Sequence, residues 1–170
     1  MQHSTKKLGM MFTACGWALG FLLLALVFSK ILDVQSNPNQ SIPTSQTTEY
    51  REIILLRNRN GHYVFDGEIN HKKVTLLVDT GATTTSIPGK LKDFLELKVG
   101  RAISVSTANG VTTAYMTRLD HLALGEIELG NVKATIVPGM GIEQILLGMN
   151  VLKNMELIQR GDSLIIRQYR

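Results

Sequence analysis

The stretch V-T-L-L-V-D-T-G-A-T-T-T-S-I-P, residues 74–88, decides how this chain is read. Val74, Leu76 and Val78 recur at period two, the signature of a strand with one buried face. Asp79 closes that strand, and small or hydroxyl residues follow it from Ala82 to Ser86, before Ile87-Pro88. An aspartate at the end of a buried strand sits at a fixed point, and a glycine two residues later lets backbone approach its carboxylate. Asp79-Thr80-Gly81 is therefore a candidate for carboxylate chemistry. Its bland counterpart is a strand-end turn in which the aspartate only accepts backbone N–H groups. By average residue usage, D-T-G arises by chance in on the order of a few per cent of chains this long.

Outward from this stretch the pattern remains that of strands. Tyr63, Phe65, Gly67 and Ile69 alternate with polar neighbours, as do Ile103 and Val105, Leu122 and Leu124, and Val132, Ala134 and Ile136. Asn109-Gly110, Gly125-Glu126, Gly130-Asn131 and Gly161-Asp162 supply turn chemistry between them. Gly89 to Leu97 and Gly148 to Met155 are expected as short helices. The result is an all-β domain, about residues 49–170, built from closely spaced hairpins.

Two further segments bear on Asp79. Ala102 to Thr107 and Val111 to Met116 are strand-like arms joined through Ala108-Asn109-Gly110, and Asn-Gly is a strong hairpin signal. Such a hairpin is either a plain surface feature or a flap that folds over an extended peptide and excludes water. Ile145-Leu146-Leu147-Gly148 is an apolar strand ending in glycine, and it echoes residues 76–81 at lower fidelity.

The amino-terminal part is of another kind. Leu8 to Phe28 runs for 21 residues without a charge, long enough to cross a bilayer as a helix. A cleaved signal peptide is the competing reading, because Lys6 and Lys7 form a basic n-region. Its apolar core is ordinarily about half this long, and no A-x-A site follows. A lipoprotein signal ending at Cys15 conflicts with the apolar run continuing past that cysteine. The expected organisation is a cytoplasmic segment 1–7, a transmembrane signal anchor 8–28, a flexible linker 29–48 and the domain 49–170. Within the linker, Asp33 to Thr48 is polar, carries two prolines and shows no apolar period. Lys6 and Lys7 before the span against Lys30 behind it place the domain outside the cytoplasm, in the periplasm if the cell is Gram-negative. Gly16 and Gly20 have the G-x-x-x-G spacing of closely packed membrane helices, although glycine is common there in any case.

Composition excludes several classes. Lys6, Lys7 and Lys30 carry three of the four net positive charges, so the remainder is nearly neutral and lacks the basic face that nucleic-acid binding needs. Cys15, the single cysteine, lies in the apolar run, leaving no disulfide or thiol nucleophile for the domain. His3, His62, His71 and His121 are scattered and form no metal motif. No G-x-S-x-G, P-loop or complete dinucleotide fingerprint is present. Arg160-Gly161-Asp162 spells an adhesion tripeptide, yet turn chemistry between two apolar runs explains it fully.

Taken in order, D-T-G-A at 79–82, the glycine-bearing hairpin at 102–116 and I-L-L-G at 145–148 before a short helix resemble the retropepsin branch of the aspartic proteases. More closely they resemble its bacterial, membrane-anchored, single-lobe members. The resemblance covers about Tyr63 to Ile166. It implies a single-lobe retropepsin-like acid protease fold, a closed, barrel-like all-β domain with a flap hairpin and one or two short helices. It further implies an aspartic endopeptidase acting on peptide or protein substrates, with no metal and no cofactor. Because the chain carries one D-T-G and the mechanism uses two aspartates, a homodimer in which each subunit contributes Asp79 is implied. By similarity, Thr80 braces the two loops, Gly81 keeps the carboxylates coplanar and Ala82 completes the loop. Thr107, Ala108, Asn109 and Gly110 form the flap tip, and Leu146, Leu147 and Gly148 the second loop. The long linker departs from the family pattern. So does Gly148-Met149-Asn150, where viral members often carry an arginine, and this departure bears on the subunit interface.

The second reading is a non-catalytic, membrane-tethered peptide-binding or scaffolding module of the same fold. An intact D-T-G favours the enzyme, because a binding module gains nothing from an unpaired buried carboxylate.

Overall fold

The computed structural model describes residues 2–107 and 110–170, which divide into two units, 1–35 and 36–170. Helix α1 (Gln2–Ser36) is 35 residues long. Its stretch Gly9–Ser36 is a candidate membrane span, with none of its residues buried against protein. Phe12, Trp17, Phe21 and Leu24 are all exposed, which suits a lipid surround and not water. The helix outruns the expected 8–28 span because Ser29 to Ser36 contains no proline or glycine. The first helix breaker is Pro38.

The second unit is β throughout apart from a few short turns of helix. Strands β1 (Thr44–Gln46), β2 (Tyr50–Leu56), β10 (Glu156–Arg160) and β11 (Ser163–Tyr169) form an antiparallel sheet in the order β1-β2-β11-β10. Strands β3 (Val64–Ile69), β4 (Lys72–Val78), β5 (Thr85–Pro88), β6 (Ala102–Thr107), β7 (Gly110–Leu124), β8 (Ile127–Val137) and β9 (Ile145–Leu147) form a second sheet, ordered β3-β4-β9-β5-β8-β7-β6. An added pairing of β3 with β7 curls this sheet into a nearly closed barrel. Inside it Phe65, Leu76, Ile87, Leu119, Leu122, Leu124, Ile127 and Ile145 are fully buried. Each such side chain stabilises the fold by roughly 1.5–3 kcal/mol. Between the sheets, Ile53 and Leu55 of β2 meet Leu164 and Ile166 of β11, while Ile54 and Ile165 turn to the other face.

Three further local expectations, away from the candidate site, differ from the structure. Residues 89–97 form only a 3-10 turn, Gly89–Leu91, followed by further turns. The chain must reverse there to bury both Leu95 and Leu97, and Glu96 takes a left-handed φ of 55° to do so. Gly130-Asn131 is not a turn but lies within β8, opposite β7. Asn131 has φ 59° there, a conformation asparagine tolerates better than most residues, and its side-chain oxygen accepts from Arg118 at 2.6 Å.

The third is the polar linker. It is helical to Ser36, and from Asn37 onward it is part of the folded unit. Asn39 is buried and its amide replaces missing strand partners. It donates to the carbonyls of Leu56 (2.8 Å) and Val64 (2.7 Å) and accepts from the Leu56 N–H (2.7 Å). Asn37 in turn accepts from the Asn39 N–H (3.0 Å) and donates to Asp66 (2.6 Å). Hydrophobic periodicity is silent about such a segment, because buried asparagines and a lone apolar residue, Ile42 packed on the core, hold it. Asn39→Ala should orphan three backbone groups and lower unfolding free energy by about 3 kcal/mol. Urea denaturation of the full chain in detergent, followed by circular dichroism, measures this. A change below about 0.5 kcal/mol, the level of an ordinary surface substitution, would show that the segment is not part of the fold.

Candidate active site

Strand β4 delivers Asp79. The Val78 N–H donates to the Tyr63 carbonyl at 3.0 Å and the Asp79 N–H to the Leu147 carbonyl at 3.1 Å, so both sides of the strand end are held. The loop then folds on its own carboxylate. The Gly81 N–H donates to Asp79 Oδ1 at 2.9 Å and the Ala82 N–H to the Asp79 carbonyl at 3.3 Å. A Cβ on Gly81 would lie 3.2 Å from Asp79 Oδ1, tighter than ordinary contact. Asp79 is half-buried, while Thr80 and Gly81 are exposed. Within one chain this carboxylate therefore faces outward, fixed on one side and open on the other.

The second loop lies directly against the first. Strand β9 inserts between β4 and β5, parallel to β4 through Leu77↔Leu146 and Val78↔Leu147 and antiparallel to β5 at Ser86↔Leu146. Leu147 is fully buried and Leu146 half-buried. At Gly148 a Cβ would meet the Thr84 carbonyl carbon at 2.6 Å and the Ala82 oxygen at 2.9 Å, so the backbones touch only because this residue is glycine. Immediately afterwards the Met149 N–H donates to the Ala82 carbonyl (2.8 Å) and the Asn150 N–H to the Thr83 carbonyl (3.1 Å). Helix α2 (Met149–Leu152) is four residues long, less than the stretch 148–155 predicted from sequence.

Sequence reasoning missed the residue that ties these pieces together. Asn150 accepts from the Thr85 N–H (2.8 Å) and Thr85 Oγ1 (3.1 Å) and donates to the Lys133 carbonyl (2.7 Å). It thereby clamps β5, β8 and α2 at one point. Thr85 is fully buried, and its carbonyl accepts from Thr135 Oγ1 at 3.5 Å. The available signal was an asparagine two residues past a strand-ending glycine, a residue with one donor and one acceptor group poised near a helix start.

The hairpin of β6 and β7 is present, but its last pair is Thr107↔Gly110, so Gly110, expected in the connecting loop, begins β7, and Thr107 Oγ1 donates to the Gly110 carbonyl at 2.8 Å. Gly110 has φ 105°, open to glycine alone, and Val111 beside it is strongly exposed. Of the expected tip Thr107–Gly110, Ala108 and Asn109 lie outside the described residues. Beyond Val137, Pro138 rests against Gly89, where a Cβ would be 2.8 Å from its Cα. Lys90 pairs with Glu143 there, and that hydrogen bond and charge hold the Glu143 carboxyl below its ordinary range. Among the described residues no three His, Cys, Asp or Glu side chains are grouped to hold a metal. The structure does bring His71 and His121 together, stacked with ring centroids 4.4 Å apart.

A curled β lobe with an aspartate loop, a glycine-ended second loop locked to it and a long hairpin is the architecture of a retropepsin-like aspartic protease. The chain belongs to the "gag-polyprotein putative aspartyl protease" family, whose model matches residues 65–154. A retropepsin-like aspartic protease from Rickettsia conorii has the same fold, with a TM-score of 0.61 and 27% identity over 74% of this chain and 97% of that one. Curated relatives include an uncharacterized protein in the cobV 5′ region of Sinorhizobium sp, 28% identical over 76% of this chain and 58% of its own length. Another, from Rickettsia prowazekii (strain Madrid E), is 32% identical over 72% of this chain and 54% of its own. The chain thus spans a little over half the length of the curated relatives it matches.

Asn150→Ala should leave the buried Thr85 N–H unsatisfied and cost about 2–3 kcal/mol. Asn150→Asp keeps both acceptor roles, loses only the bond to Lys133 and should fall between wild type and the alanine variant. Chemical denaturation midpoints of the three proteins check the order.

Proposed function

We propose that this chain is a membrane-anchored aspartic endopeptidase, active as a homodimer in which the two Asp79 carboxylates activate one water. The observation that carries the proposal is the state of Asp79 in a single chain. It is held by the Gly81 N–H on one side and open on the other, within a fold whose family is that of aspartyl proteases. Hydrolysis by carboxylates needs one ionised and one protonated group at the same water. Two carboxylates that close cannot both ionise comfortably and share a proton, as is general for aspartic proteases. The ionised member takes a proton from the water as it attacks. The protonated member hydrogen-bonds the scissile carbonyl and then helps protonate the leaving amine. The titration belongs to the pair and not to either residue.

Of the other aspartates of the domain, three are engaged with other side chains and the fourth lies on an exposed strand position, which favours a partner copy as the source of the second carboxylate. Asp66 accepts from Asn37 (2.6 Å) and Thr75 (3.1 Å). Asp93 pairs with Lys92 and Asp162 with Arg57, and Asp120 is exposed on β7. On this reading the hairpin of β6 and β7 closes over substrate, which lies beneath it as an added strand. Thr80 braces the paired loops, and the stretch at Val137-Pro138 helps set cleavage preference. The apolar helix anchors the enzyme, with Lys6 and Lys7 keeping its start in the cytoplasm and the protease domain outside.

Asp79→Asn should reduce cleavage of a mixed peptide library by about 10²–10⁴-fold while leaving the denaturation midpoint unchanged. Undiminished cleavage by that variant would overturn Asp79 as the catalytic group, and peptide binding by the wild-type chain without cleavage would favour the non-catalytic, peptide-binding module. Stoichiometry has its own measurement. Wild type and Asp79→Asn chains, dissociated together at equal amounts and reassociated, should retain about a quarter of the activity if two carboxylates are shared across a dimer. A value of about a half would mean that each chain acts alone.

A further inference from the structure

Strand β10 ends its sheet. One edge pairs with β11 and, among the described residues, no strand lies along the other. The orientation of its backbone follows from the hairpin. Arg160↔Ser163 flank a two-residue turn with Gly161 at φ 56°, which makes that pair mutually hydrogen-bonded. Alternation then gives Ile158 and Glu156 to β11 as well. The N–H and C=O groups of Leu157 and Gln159 point to the open edge. An edge of this kind is a template for another strand, and proteins usually blunt it with proline, lysine or a bulge. Residues 156–160, E-L-I-Q-R, contain none of these.

The sequence of the edge is complementary to itself. Laid antiparallel on a second copy about an axis through Ile158, it sets Leu157 opposite Gln159 of the partner, and Gln159 opposite Leu157. These two pairs use all four outward backbone groups. The same register places Glu156 opposite Arg160 of the partner, twice, on one face of the sheet. Arg160 is exposed and has no partner among the described residues. Glu156 accepts from Arg167 (3.1 Å) and Tyr169 (3.0 Å) through one oxygen, Oε2, which leaves the other for a new donor. Shifting the axis by one residue either way aligns only one of the two outward-facing residues with itself and loses both charge pairs. Ile158, half-buried in one chain, lies on the axis itself.

We propose that two copies of this chain join edge to edge along β10, antiparallel about a two-fold axis at Ile158, with Glu156 of each facing Arg160 of the other. The inference rests on the dimeric protease reading and names its interface. It also connects that interface to the candidate site. Strand β10 follows α2 by three residues, and the first turn of α2 is bonded to the Ala82 and Thr83 carbonyls of the Asp79 loop. Joining the two strands therefore orders the two loops relative to one another.

The test uses the full chain in detergent with Cys15→Ser, so that an introduced thiol is the only one. Opposed residues of a non-hydrogen-bonded antiparallel pair have Cα atoms about 4.5 Å apart, within disulfide range. Ile158→Cys should give a disulfide-linked dimer on mild oxidation, and Val99→Cys, more exposed than Ile158 but away from the edge, should not. A second arm needs no thiol. Arg160→Glu and Glu156→Arg should each weaken dimerisation by about tenfold or more through like charges. Mixed together they should recover it, since a heterodimer restores both charge pairs. Sedimentation reports the dimer, and peptide cleavage is measured in parallel. Absence of both crosslink and recovery, with wild type still dimeric and active, overturns this interface and leaves the protease reading standing. Crosslink and recovery without any cleavage supports the interface and counts against the protease reading. A wild-type chain that stays monomeric overturns both.

Discussion

The insertion of β9 between β4 and β5 is the constraint on which the candidate site depends. It is a parallel pairing on one side, and a parallel pair cannot be made by a hairpin. The chain leaves β4 at Val78, builds β5 to β8 and returns at Ile145 before the pairing can form. Only then does the Asp79 N–H find the Leu147 carbonyl, and only then are the Ala82 and Thr83 carbonyls met by Met149 and Asn150. The position of the carboxylate is thus a property of the completed lobe. Contacts of such sequence separation are costly to close, so this loop is expected to order late in folding.

Close approach sets the chemistry of the residues allowed there. Two loops whose backbones touch leave no room for side chains at Gly148, and Gly81 must keep the carboxylate clear. The polar backbone groups trapped between the loops need partners, and Asn150 and Thr85 supply them from side chains. Buried polar groups of this kind stabilise little while satisfied and cost much when broken. They favour one arrangement of the loops over all near alternatives, which a site that must place an oxygen atom accurately requires.

Much of this was legible in the sequence. Alternation located β3, β4, β7 and β8, the Asn-Gly pair located the β6–β7 hairpin, and D-T-G marked the strand end that carries Asp79. The parts that were not legible share a cause: their partners are distant in sequence and polar. Strand β1 is three exposed residues, without periodicity to read, held beside β2 by backbone bonds. Asn39 looks like turn chemistry, yet it caps Leu56 and Val64. Gly130-Asn131 has turn composition but is kept in a strand by β7 on one side and by Arg118. Stacking of His71 on His121 depends on the β3–β4 turn reaching β7, which no spacing rule anticipates.

A half-site has a thermodynamic consequence on the proposed reading. Two carboxylates held at one water keep a proton between them that well-separated carboxylates give up at the same pH. Association therefore takes up a proton, and its equilibrium constant must fall as pH rises above the range in which the pair keeps that proton. Acid thus favours assembly through the same proton that the chemistry uses, and the conditions that make the dyad competent are those that bring it together. A membrane anchor acts in the same direction without any new contact, by confining the chains to a surface and raising their effective concentration.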